Sequence, residues 1–421
     1  MIQPPKGTRD ISPEEMKKLQ SIIDRFREIF EKYNFLPLET PAFESFELLS
    51  AKGGLGEAAK DEIYYFKDKS DRELGLRFDL TVPLARFVIN NPNLTKPFKR
   101  YQIGRVWRYD NPQAMRWREF WQADVDVVGS SSMSADTECL AVSVGCLLSL
   151  GFKKFSIRIN NRKLIEKILL KLGVKENKIF DVFRIIDKLS KIGLKNVKRE
   201  LKENDIDIEI EDILKISGSN KEILENVKKK FGENEGLKEL REIINLSRKI
   251  GIEKYLKIDL SLVRGLDYYT GPVFEVKIGD VDVSCGGGGR YDSLIKNLGG
   301  PDMPATGISF GLDRLLTLIK DSKILNRKVF VATVNDEVKE EAFKICQNLR
   351  KENIISDIDM MDRKLSKQLG YASKMKYPFV LVVGKRELEK KSIKLRDMKK
   401  GKEKLVKIKD IVKILNKVLN Q

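Results

Sequence analysis

Arginines crowd the segment KRYQIGRVWRYDNPQAMRWREFWQADVDVVG, Lys99–Gly129, in a pattern suited to gripping a polyphosphate. Two stretches of strand character flank a polar loop, Asp110 to Arg116, with Arg108 before it and Arg116 and Arg118 at and beyond its end. Guanidinium groups hold phosphate oxygens bidentately, and Phe120 in the second stretch offers a ring for stacking on a base. A surface hairpin with solvated arginines is the plain alternative. Further on, GISFGLDRLLTLI (Gly307–Ile319) leads small residues and glycines into a helix with Arg314 in its first turns. The run Gly286–Gly289 lets a backbone approach a ligand with no Cβ in the way, or makes a bulge or tight turn between strands. RGLDYY places Arg264 beside two tyrosines; strand alternation would put Arg264, Leu266 and Tyr268 on one face, with Asp267 and Tyr269 on the other.

These groups need a scaffold, and the hydrophobic pattern supplies one. Glu14 to Tyr33 has apolar residues at helical spacing, from Met16 through Leu19, Ile22, Ile23 and Phe26 to Phe30. Ser12, Pro13 and Glu15 form its start signal. From Phe35 to Gly129 the chain changes to short segments rich in aromatic and β-branched residues, broken by Pro, Gly and Asn, which predicts an antiparallel sheet. Ala135–Leu150 predicts a buried helix and Phe155–Ile159 a strand. Residues 161–257 are mostly helical and Lys/Glu-rich, an inserted module between two sheet-like blocks. Strand character resumes at Ile258 and runs to Gly311, followed by a helix, Leu312–Leu318. From Arg327 the pattern predicts strand VFVAT, helix Val338–Asn353, strand IISDIDM, helix Lys364–Lys376, strand FVLVVG and a final helix, a separate α/β domain with a mainly parallel sheet.

Composition excludes several classes. No apolar stretch is long enough to span a membrane, and the first residues show no signal peptide, so a cytoplasmic location is expected. Four cysteines form no C-x-x-C pair, and the chain contains no histidine, so no metal-ligand set is expected in the protein itself. Net charge is +18, of which residues 327–421 carry +12, from 25 basic and 13 acidic residues. A lysine-rich tail suits a solvated face or a nucleic acid.

The arginine segment and the Gly307–Ile319 segment, in this order, resemble motifs 2 and 3 of the class II aminoacyl-tRNA synthetases. The helix from Glu14 to Tyr33, with a strand ending at Pro41, resembles motif 1, which implies a homodimer. LVRGLDYYTGPVFEV (Leu262–Val276), SCGGGGRYDSLI (Ser284–Ile295) and PKGTRD (Pro5–Asp10) resemble segments peculiar to the histidyl-tRNA synthetases. That resemblance implies an α+β fold: an antiparallel sheet flanked by helices, a helical insertion, and a C-terminal α/β anticodon-binding domain. The implied division is 1–160 and 258–322 for the catalytic domain, 161–257 for the insertion and 327–421 for the anticodon-binding domain.

The implied reaction joins histidine to ATP, with Mg²⁺, as histidyl-adenylate, and then transfers the histidyl group to tRNA. By position, the resemblance places Arg108 at the α-phosphate and the amino acid carboxylate, Asp110 at the adenine amino group and Phe120 on the adenine face. It places Arg314 on the other side of the ring toward the γ-phosphate, and Arg116 at the outer phosphates. Arg264 resembles the family's catalytic arginine near the α-phosphate. Asp79, Thr81 and Gln122 match positions around the α-ammonium, and Asp126, Tyr269 and Tyr291 positions around the imidazole, with Arg264 and Tyr268 also in the histidine pocket. A carboxylate acceptor and tyrosine hydroxyls are the groups an imidazole needs. Many relatives have Glu at Asp79 and Gly at Met115, so the reach of the first and the closing of the motif 2 loop differ here. Two other functions fit parts of the pattern. One is a regulatory paralogue that binds a histidine-biosynthesis enzyme, and the other a class II synthetase for threonine, proline or glycine.

Overall fold

The computed structural model describes residues 2–51, 61–109, 111, 116–263, 268–279, 284–319 and 328–419. It divides into two compact units, Met1–Ile319 and Lys320–Gln421. The strands of the first are β1 (Leu36–Pro37), β2 (Phe43–Ser45), β3 (Tyr65–Lys67), β4 (Glu73–Leu76), β5 (Phe98–Trp107), β6 (Glu119–Val128), β7 (Phe155–Asn161), β8 (Leu256–Ile258), β9 (Pro272–Ile278), β10 (Ser284–Arg290) and β11 (Ala305–Gly311). Eight of them form one sheet in the order β1-β5-β6-β11-β10-β9-β7-β8, and β2, β4 and β3 form a small second sheet. In the large sheet only the outer pairs β1–β5 and β7–β8 are parallel.

The first helix, Pro13–Lys32, starts at the expected signal: the Ser12 hydroxyl accepts from the Glu15 backbone N–H while the Glu15 carboxylate accepts from the Ser12 N–H. Its buried stripe, with Leu19, Ile22, Phe26 and Phe30, joins helix Met133–Ser149 on one face of the large sheet. Residues opposite one another in antiparallel strands point to the same side. The row Tyr101–Val125–Ile308 on β5, β6 and β11, continued by Phe274 and Ile159 across β9 and β7, meets those helices as a buried core. Phe26 packs edge-on against Phe310 at 5.3 Å. The neighbouring row on the other face is polar: Gln102, Asp124, Ser309, Gly287, Glu275 and Arg158. Period-two alternation thus sorts one sheet into a core face and a face free for chemistry.

Between β7 and β8 the chain is helical, and its buried residues, including Leu164, Val182, Ile186 and Ile244, belong to the same hydrophobic cluster as the sheet.

Three expectations are corrected. The stretch Phe35–Gly129 also contains the helix Thr81–Asn90, whose β-branched and proline residues hid it; burial of Val82, Leu84, Ala85 and Val88 stabilises it, and Pro83 sits in its first turn. The strand expected to end at Pro41 is only Leu36–Pro37, with a last backbone bond from the Leu38 N–H to the Tyr101 carbonyl at 2.9 Å, and Pro41 has no N–H to extend it. In the second unit, β12 (Lys328–Thr333), β13 (Ile355–Ile358) and β14 (Phe379–Val383) are parallel as expected. They are followed by an unexpected antiparallel hairpin, β15 (Ser392–Asp397) and β16 (Glu403–Lys407), before the last helix Ile411–Leu419.

Candidate active site

One cavity of about 520 Å³ opens on the polar face of the large sheet. Of the residues expected in a site, Asp79, Thr81, Arg108, Arg116, Phe120, Gln122, Asp126, Tyr268, Tyr269, Tyr291 and Arg314 all line it. Arg264 and Asp110, and the Met115 departure, lie outside the described residues.

The arginines come from strand ends and a helix start. Arg108 follows β5; its Nε donates to the Phe78 carbonyl at 3.0 Å, and its guanidinium lies 5.4 Å from the centre of the Phe120 ring. A cation over that ring fixes both groups. Arg314, in helix Leu312–Leu318, donates to the Ser284 carbonyl. Asp313 beside it accepts from the Trp121 N–H at 2.8 Å and pairs with Arg9 at 3.1 Å, tying the N-terminal segment to the cavity wall.

The other end is carboxylate and hydroxyl. Asp79 stands before helix Thr81–Asn90, where Oδ1 accepts the N–H groups of Thr81 and Val82 at 3.2 and 3.1 Å. Oδ2 of Asp79 is buried without a hydrogen bond, as is Oε1 of Gln122. Burial raises the Asp79 pKa to about 6. Asp126 accepts from the Tyr291 hydroxyl, and its other oxygen faces Arg100 Nη2 at 2.8 Å without an aligned hydrogen bond. Burial raises Asp126 as well, against the pull of Arg100. Arg100 is fully buried, with Nε and Nη1 unbonded. Orphaned buried polar atoms cost free energy, and several gathered around one cavity point to a polar ligand.

Glycine is required at two positions here. At Gly307, directly opposite Asp126 in the ladder, a Cβ would lie 2.0 Å from the Asp126 carboxylate and 2.7 Å from the Val125 carbonyl. Gly289 has φ +153°, and a Cβ would meet the Pro272 carbonyl at 2.4 Å and the Tyr269 ring at 2.9 Å. The glycine run is a strand, β10, with its register shifted between Ser284 and Gly286, and Gly286–Gly288 line the cavity. Gly307→Ala should therefore turn Asp126 away from Tyr291 and lower stability, since the Tyr291 hydroxyl loses a buried acceptor; denaturant unfolding would show it.

One expectation about faces is overturned. Tyr268 and Tyr269 do not point apart, because they precede β9 and are not in a strand; both line the cavity, their rings 4.9 Å apart. Sequence reasoning also missed Asp124, Ser309 and Glu275, which line the same cavity. The signal was present: Gln122, Asp124 and Asp126 are two residues apart on β6 and so share its cavity face.

A helix-backed, mostly antiparallel sheet whose open face joins arginines to carboxylates in one cavity defines the first unit as a class II aminoacyl-tRNA synthetase fold. Residues 7–315 match the family model "Histidyl-tRNA synthetase", and residues 328–418 match "Anticodon binding domain". The chain is 38% identical to the histidine–tRNA ligase of Thermococcus kodakarensis, covering 98% of each chain. It is 37% identical to that of Pyrococcus furiosus over the whole of both. The crystal structure of histidyl-tRNA synthetase from Nostoc superposes with a TM-score of 0.86 at 32% identity, covering 99% of each chain. The chain belongs to the histidyl-tRNA synthetase family.

Proposed function

We infer that this chain activates histidine with ATP and transfers the histidyl group to the 3′ end of its tRNA. The observation that carries this is the single cavity in which Arg108, Arg116 and Arg314 meet Asp126, Tyr269 and Tyr291. In the first step an oxygen of the histidine carboxylate attacks the α-phosphate, and pyrophosphate leaves. In the second a ribose hydroxyl of the tRNA attacks the activated carbonyl, and AMP leaves. Both steps concentrate negative charge, which fixed guanidinium groups stabilise most where water is excluded. Arg108 meets the α-phosphate and the amino acid carboxylate, Phe120 and Arg314 hold the adenine, and Arg116 holds the outer phosphates. Asp110 recognises the adenine amino group. Mg²⁺ enters on the phosphates of ATP as part of that substrate. Asp79, Thr81 and Gln122 take the ammonium group, and Asp126 with the tyrosines takes the imidazole.

Because the chain has no histidine, no imidazole of its own serves as base. The tRNA hydroxyl proton passes to a phosphate oxygen of the adenylate, to a carboxylate or to water. Residues 327–421, with net charge +12, bind the tRNA largely through phosphates, so affinity falls as salt rises. Residues 161–257 act as an insertion into the catalytic domain, 1–160 and 258–322. The enzyme works in the cytoplasm as a homodimer, a pairing that the resemblance of the first helix and the strand after it to motif 1 supports. Arg264→Ala is the test of the active-site assignment. Adenylation should fall by orders of magnitude, about 10²–10³ for one lost transition-state donor, with histidine affinity largely kept; near-normal activity would overturn the assignment.

A further inference from the structure

We propose that Asp124 is a substrate-binding carboxylate that receives, together with Asp79, the α-ammonium group of the amino acid. This rests on the amino acid site described above and adds to it a residue that the resemblance did not assign.

Asp124 lies between Gln122 and Asp126 on the cavity face of β6, and the residues beside it across the sheet are Ser309 and then Gly287. Those two small residues leave the space over the carboxylate open to the cavity, which all three line. The Ser309 hydroxyl donates to Oδ1 of Asp124. Asp79 has its Oδ1 committed to two backbone N–H groups, while its buried Oδ2 and the buried Oε1 of Gln122 lack hydrogen bonds. An ammonium group, with three donors and no acceptor, is the chemical complement of that set.

Charge leads to the same conclusion. Asp79, Asp124 and Asp126 are all within the electrostatic reach of one fully buried cation, Arg100. Asp79 also feels the charge of Arg108, so three buried carboxylates share two guanidiniums and leave an excess of negative charge that a cationic ligand would balance. Asp126 already has Arg100 and Tyr291 as close partners, whereas Asp124 has only the Ser309 hydroxyl at hydrogen-bonding distance among the described residues and feels the charge of Asp79. This places Asp124 at the ammonium end. Burial holds its pKa at about 7.

Burial of the Asp124 carboxylate also sets how stability responds to Asp124→Asn. The usual carboxylate value is 3.8, so folding retains a proton that the unfolded chain gives up between pH 3.8 and about 7. The resulting destabilisation grows over that window, is complete above pH 7 and is absent below 3.8. Asparagine removes it, so the variant should melt higher than the wild type at pH 8 and show no such gain near pH 4.

The deciding experiment is calorimetric titration of wild type and Asp124→Asn with histidine and with 3-(imidazol-4-yl)propionate, which has the same ring and carboxylate but no amine. Histidine affinity should fall at least tenfold, and affinity for the amine-free acid should change less than twofold. Unchanged histidine binding would overturn the proposal, and so would equal loss of both ligands, which would put Asp124 at the ring or show a collapsed pocket. A wild-type protein that binds no histidine would overturn the amino acid site itself, and the wild-type arm reads that separately.

Discussion

Arg108→Ala is expected to lower ATP–pyrophosphate exchange by about 10²–10³, the loss typical of removing one preorganised donor from a developing oxyanion. The Nε of Arg108 is bound to the Phe78 carbonyl and its plane lies over Phe120. The group therefore reaches the cavity already oriented, and no ordering has to occur as charge develops. Lysine should not restore activity, since an ammonium cannot hold the Phe78 carbonyl and two phosphate oxygens in one plane. The fall should appear mainly in kcat, with a smaller rise in the KM for ATP, because Arg116 and Arg314 still hold the outer phosphates and the base. A variant within tenfold of wild type would remove Arg108 from the phosphate site.

Asp126→Ala should have the largest effect on stability. Arg100 is fully buried, and Asp126 is its carboxylate partner at 2.8 Å. Breaking a buried pair on one side leaves an uncompensated charge, which costs about 3–5 kcal/mol. Asp79 and Asp124 share the field of Arg100, so the lower end of that range is expected. Tyr291 also loses its acceptor. Denaturant unfolding would measure the loss, and histidine-dependent exchange should vanish even at temperatures where the variant stays folded. Unaltered stability would mean that Arg100 draws its compensation from elsewhere.

Much of the site was legible because its chemistry lies in short segments of fixed order. Arg108, Phe120, Gln122 and Asp126 sit on one β-hairpin, and hairpin strands keep their own faces. Asp124 belongs to no assigned motif position, but the alternation Gln122, Asp124, Asp126 in a ten-residue strand puts it beside them. The tyrosine pair failed for another reason. Strand alternation would set the two tyrosines on opposite faces, but Tyr268 and Tyr269 precede the strand, and outside a strand the alternation rule has no force. The missed hairpin of the second unit shows where local pattern runs out. SIKLRD and EKLVK alternate weakly and are dense in lysine, which suits the outer strands of a sheet but also an exposed helix. Only pairing with β14, a long-range event, settles the choice. The helix Thr81–Asn90 is the converse, a segment of β-type composition made helical by burial.

Absence of histidine from the chain says nothing by itself about its substrate. It does predict a supply effect: synthesis of this enzyme should be spared under histidine starvation relative to proteins that contain histidine.

The central claim is the amino acid. ATP–pyrophosphate exchange should be measured with each amino acid in turn on the full chain. Histidine should drive exchange, with threonine, proline and glycine at background. Exchange driven by another amino acid, or no exchange with histidine while the chain binds a histidine-biosynthesis enzyme, would contradict it.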